Sequence, residues 1–171
     1  MKTVPKILAL ALALFSYGVA TPAFSSVLQC APYAREESGI AIHGNAATWW
    51  SQAEGTYNRG SKPEVGAVLV FRSTSAMPYG HVAVIGKIVD DRHVLLDHAN
   101  WSRPGMIETA ALAEDVSEAG DWSDVRVWFD PIKKLGTRSN PAFGFIYARG
   151  HEAAPATTLA AADAAVELVG D

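Results

Sequence analysis

Apolar positions along this chain change their spacing three times. Residues 7–15 form an unbroken apolar run, Ile-Leu-Ala-Leu-Ala-Leu-Ala-Leu-Phe, behind Lys2 and Lys6 and ahead of small residues at Gly18 and Ala20. A basic start, an apolar stretch and a small-residue cleavage site predict a secretory signal peptide over residues 1–20. The run is shorter than the roughly 20 apolar residues a membrane-spanning helix needs, so no membrane anchor is expected after cleavage.

The next spacing is helical. Residues 30–38 read as a short helix with Pro32 in its first turn, where the missing N–H costs nothing, and Gly39 as terminator. A second helix is signalled by Asn45 as cap, by Ala46, Ala47, Trp49, Trp50 and Ala53 as an apolar stripe, and by Gly55 as stop. Residues 60–66, with Pro63, read as loop.

From Ala67 onward the runs become short, aliphatic and β-branched. Residues 67–71, 81–85, 94–96, 125–129 and 143–147 predict five strands. Helices followed by an antiparallel meander give an α+β fold with N-terminal helices packed on an antiparallel β-sheet. Residues 21–150 then form one domain, and residues 151–171, Ala-rich and acidic, form a disordered tail.

Charge narrows the partners. Fourteen basic against 18 acidic residues give −4, and loss of Lys2 and Lys6 with the leader takes this to −6. No cluster of Lys or Arg could track phosphates or an anionic membrane surface, so nucleic acid is excluded as a partner. The sequence identifies no protein activator.

Cys30 is the one cysteine, in a chain whose leader sends it where thiols are usually oxidised. It could pair between chains, accept a lipid, sit inert in the core as a small hydrophobe, or react. Gln29 before it, and an apolar stretch that ends well upstream, argue against lipidation. Its place at a helix N-terminus favours reaction, because the partial positive charge there stabilises a thiolate and the free N–H groups can donate to an oxyanion.

A cysteine nucleophile needs a base, and the histidines are His43, His81, His93, His98 and His151. His81 heads a strand behind Gly80. If residues 90–91 form a two-residue hairpin turn, paired positions sum to 181, and His81 lies across from Asn100 while Ala83 lies across from His98. A four-residue loop keeps that parity and a three-residue loop with a bulge reverses it. His98 and Asn100 thus share the face of His81, and Asp97 points to the other. Asn100 is favoured as the group orienting the imidazole, then His98, then Asp97.

These residues resemble a known family. The stretches QCAPYAREESGI, GNAATWW, GAVLVF, GHVAVI and DHANW are similar, in content and order, to the CHAP domain, the cysteine- and histidine-dependent amidohydrolase/peptidase family, over about residues 28–101. The resemblance implies a papain-like architecture, Cys30 as nucleophile, His81 as base, and cleavage of amide bonds in peptidoglycan stem peptides by a secreted enzyme of the periplasm or cell wall. The family's third residue is commonly acidic, two positions before an Asn followed by an aromatic. Here Asn100 and Trp101 stand in place, but the acidic position holds His98.

Gln29 is a candidate oxyanion donor, and Trp50, Tyr79 and Trp101 are candidates for a substrate groove. The alternative class is a non-catalytic cell-wall-binding domain that keeps the fold after losing the acidic orienter. An amidase for a small glutathione-like amide is a third reading, disfavoured by export. A redox or metal protein is disfavoured because there is no Cys-x-x-Cys and no zinc-ligand spacing; no cofactor is expected.

Overall fold

A computed structural model describes residues 27–148. The leader and the acidic tail read from the sequence lie outside the described residues. Two short helices, α1 (Cys30–Ser38) and α2 (Trp49–Gln52), come first, with a 3₁₀ turn at Ala46–Thr48 leading into α2. Eight strands follow: β1 (Asn58–Gly60), β2 (Val68–Phe71), β3 (His81–Asp90), β4 (His93–Ala99), β5 (Ile107–Asp115), β6 (Asp124–Phe129), β7 (Lys134–Leu135) and β8 (Asn140–Tyr147). A second 3₁₀ turn, Asp130–Ile132, joins β6 to β7.

The expected α+β, papain-like arrangement, with N-terminal helices packed on an antiparallel β-sheet, is corrected by the topology. The strand order is β1-β8-β2-β3-β4-β5-β6-β7, and β6 also pairs with β8, through Asp124↔Pro141 and Val125↔Asn140. The six strands from β8 round to β6 therefore close into an antiparallel barrel, and the described residues are mostly β, 42% strand against 16% helix. A closed sheet supplies its own core. Leu69, Phe71, Ala83, Ile85, Leu96, Val125, Val127 and Phe145 alternate inward with Trp122 among them. The helices cover only part of the outer wall, where Ala31, Ala34 and Trp49 pack on Val68, Val70, Val82 and Val84.

β2 is buried at every residue, since one face looks into the barrel and the other lies under the helices. That is why Val68-Leu69-Val70-Phe71 reads as a continuous apolar run rather than an alternating one. Strand β5 carries the correction. Its sequence, Ile-Glu-Thr-Ala-Ala-Leu-Ala-Glu-Asp, is rich in helix-forming residues and lacks β-branched alternation. Ala110, at φ 56°, interrupts its parity, and Ala111 and Ala113 face an interior already filled by Trp122 and Phe145, whose rings meet edge to face at 5.7 Å. Small residues fit there because large ones stand opposite.

The β3–β4 hairpin turns at Asp91 and Arg92, one residue later than expected, with Asp90 paired to His93. Two register shifts bring the pairing to Ile85↔Leu96 and Val84↔Asp97 near the other end. The expected sum of 181 therefore holds where it matters for His81, although it fails at the turn.

Barrel closure has a direct signature in amide exchange. The Ala142 N–H, which donates to Ser123 O at 2.9 Å across the β6–β8 seam, is expected to exchange as slowly as the β3–β4 amides. Fast exchange at Ala142 with slow exchange in β3 would mean an open sheet.

Candidate active site

Cys30 is the first residue of α1 and follows Gln29, whose backbone is extended (φ −101°, ψ 158°). The helix stops at Gly39, whose left-handed φ of 70° lets its N–H reach Arg35 O at 3.1 Å. Ala31, Tyr33 and Ala34 form the buried face, which lays α1 on β3 and β4. Its N-terminus thereby comes to the start of β3. The backbone N–H groups of Val82, Ala31 and Cys30 itself are directed at the Cys30 sulfur, so the thiol sits beside the residue that follows His81.

His81 opens β3 at the barrel mouth, on the inward face that continues with Ala83 and Ile85. Gly80 before it has φ 68°, and a Cβ there would lie 2.7 Å from Ala47 N and 2.8 Å from Phe71 O. Only glycine allows that approach. The imidazole is buried among Phe71 and Trp101, at centroid distances of 5.9 and 4.9 Å.

His81 Nε2 lies 3.0 Å from His98 Nδ1, and it is His98, not the favoured Asn100, that holds the ring. Asn100 leaves the strand with φ 62°. Its Nδ2 donates to Gln29 Oε1 at 2.8 Å and its Oδ1 accepts from Gly105 N–H at 3.0 Å. It thus clamps the residue before Cys30 instead of orienting the imidazole. Asp97 points away, as expected, accepting from Ala110 N–H at 2.8 Å. Gln29 Nε2 donates to Val27 O at 3.0 Å.

Cys30, His81, Gln29, Asn100, Tyr79 and Trp101 line one cleft of about 770 Å³. Trp50 does not. It stacks on Phe143 at 5.7 Å and carries Arg59 over its ring at 4.9 Å. The sequence reading missed Glu108 and Ser102, which stand behind His98: Glu108 is buried, accepts from Ser102 N–H at 3.0 Å and from Ser102 O–H at 2.7 Å, and lies 3.8 Å from His98 Nε2. Once β5 is recognised as the neighbour of β4, the pairing His98↔Glu108 would have found them.

Burial sets the charge state. It pushes the Cys30 thiol above its ordinary value, and this outweighs the opposing pull of the Val82, Ala31 and Cys30 N–H groups. The expectation of a resting thiolate at the helix N-terminus is therefore corrected to a resting thiol. His81 is held well below 6.5, first by desolvation and then by repulsion from His98, and desolvation takes His98 down to about 4. Both rings are neutral at pH 7, so one nitrogen of His81 is a free base. His81 Nε2 is engaged with His98, and Nδ1 is the free base when Nε2 carries the proton.

Among the described residues no group of three His, Cys, Asp or Glu stands close enough to hold a metal ion, and no helix is long and apolar enough to cross a membrane. Unfolded His98 takes a proton near 6.5 and folded His98 only near 4, so the unfolded chain binds more protons in that window. Stability is lost as pH falls through it, by about 3 kcal/mol for this ring. Urea midpoints at pH 7 and pH 4 should differ by less in His98→Gln than in the parent chain; an equal difference would show His98 to be already charged.

Comparison with curated proteins returns no match. Residues 21–100, which carry both helices, β1 to β4, Cys30 and His81, match the family model described as the CHAP domain. That family is of the amidase/peptidase hydrolase type. Over this segment the chain is similar to the CHAP domain family.

Proposed function

We propose that the protein is an exported cysteine amidohydrolase/peptidase that hydrolyses amide bonds of peptidoglycan, with Cys30 as nucleophile and His81 as base. The observation carrying this reading is that the sulfur, taking the Val82 N–H, and the neutral imidazole of His81 share one cleft. The signal-peptide pattern of residues 1–20 supports export to the periplasm or cell wall.

In the proposed reaction His81 Nδ1 takes the thiol proton as the sulfur attacks the amide carbonyl. N–H groups at the start of α1 hold the oxyanion, and the same proton then passes to the leaving amine. A thioester on Cys30 remains. Water, deprotonated by His81, hydrolyses it and restores the thiol. The cleft suits a peptide on a sugar polymer: Trp101, Tyr79 and Phe129 offer apolar walls, and Arg138 is the one permanently charged residue in the lining, a cation matched to stem-peptide carboxylates. The non-catalytic reading is favoured by the imidazole of His98 standing where the family commonly has an acid.

Digestion of purified sacculi separates the two. The mature protein is expected to release muropeptides whose masses identify the bond cut, and Cys30→Ala and His81→Ala should lower release about a thousandfold or more. Binding to sacculi by all three proteins with release by none would establish the wall-binding reading instead.

A further inference from the structure

We propose that Glu108 is a positioning residue of this site, whose carboxylate keeps a proton on His98 Nε2 and so directs the chain of hydrogen bonds from His81 away from the thiol. The proposal rests on the Cys30–His81 reading above. It starts from a buried atom without a hydrogen-bond partner: His98 Nε2 has none, and the nearest charge is Glu108 Oε2 at 3.8 Å. At that distance the carboxylate acts as a charge rather than as an acceptor, and in so dry a place the charge is weakly screened. Its orientation is fixed, since both oxygens are held by Ser102.

Only one proton arrangement fits. With the proton of His98 on Nε2, its Nδ1 is a lone-pair acceptor, His81 Nε2–H donates to it, and His81 Nδ1 is free to take the thiol proton. The other tautomer would aim the Nε2 lone pair at the buried carboxylate, and His98 Nδ1–H would donate to His81 Nε2. His81 would then carry its own proton on Nδ1 and could not act as base. When the Cys30 proton moves to His81 the pair becomes cationic, and Glu108 is the counter-charge within reach. No proton leaves the chain and none is consumed.

The other groups facing the pair leave this role to Glu108. Cys30, on α1, lines the same cleft as His81, and Phe71 and Trp101 are uncharged. Asp130, whose N–H donates to Ser102 Oγ at 3.0 Å, is neutralised by Arg103 at 3.2 Å and by Lys133. Asp97 points to the opposite face.

Two-bond ¹H–¹⁵N correlation of histidine-labelled protein at pH 7 tests the arrangement without any variant or substrate. His98 and His81 should both be Nε2–H tautomers, and a His98 proton on Nδ1 overturns the proposal. The rate of Cys30 alkylation against pH tests the function of the carboxylate. In Glu108→Gln the rate at neutral pH should fall about tenfold while the alkaline limit, where free thiolate reacts, stays. In a His98→Glu background the same substitution should raise the neutral rate, because two carboxylates would otherwise repel. Loss of packing alone would give no such reversal, and an unchanged neutral rate in Glu108→Gln overturns the proposal. Neither measurement involves peptidoglycan: a protein inert on sacculi that shows this tautomer keeps the inference, and an active hydrolase with the opposite tautomer loses it.

Discussion

A barrel of six strands has room inside for side chains and little else, so a polar group on an inward position must find its partner within the wall. Two imidazoles occupy such positions at the mouth, on β3 and β4, and they meet each other at 3.0 Å beside Trp101, with Phe71 also against His81. Nearly every property of the site follows from that enclosure. Desolvation removes the charge from both rings, and a neutral ring can accept a proton where an imidazolium cannot. The same burial raises the thiol, so sulfur and imidazole both rest uncharged. In the reaction proposed above, charge would separate only as a carbonyl is attacked, and the oxyanion would meet N–H groups already in place.

Dryness also suits a second histidine, rather than an acid, beside His81. A carboxylate directly on His81 Nε2 would hold a buried charge in the resting state, whereas His98 is uncharged at rest. The carboxylate stands one ring further back, on β5, where Ser102 donates to both of its oxygens. Moving it there lowers the cost of burying it and keeps it within the range of a buried charge. A chain of two rings has a directional weakness that one carboxylate lacks, since each ring has two tautomers.

Much of this was legible in the sequence, and what was not has identifiable causes. The first helix was readable from Pro32 and Gly39, and the apolar runs of β2 and β3 from their β-branched content. Barrel closure was hidden because β5 is written in alanine, glutamate and leucine, the vocabulary of helices, and its strand character comes from pairing with β4 and β6 rather than from propensity. Without β5 there is no path from β4 to β6, and the sheet looks open. The face shared by His81 and His98 could be read from alternation alone, because two register shifts in β3–β4 offset the misplaced turn. Asn100 defeated the same logic: parity describes extended backbone only, and a residue at φ 62° sends its side chain elsewhere. Glu108 could not be found while its strand was unrecognised.

The placement of Cys30 against His81 is enforced by contacts that belong to neither residue. Asn100 follows Ala99, the last residue of β4, and donates to Gln29, the residue before Cys30, so the strand beside β3 holds the helix start that carries the sulfur. On the opposite side Ala47 N–H donates to Tyr79 O at 2.9 Å, and Gly80 fits against Ala47 only because it lacks a Cβ. That contact ties the 3₁₀ turn Ala46–Thr48 to the two residues that lead into β3. The proposed nucleophile and base come from separate elements, and in the proposed reaction an error of about 1 Å between them would cost catalysis heavily. Two short-range clamps, one through a side-chain amide and one through bare backbone, remove that freedom more cheaply than added core would. They also give the turn before α2 a function that its small buried surface does not suggest: it fixes where β3 begins, and therefore where His81 stands.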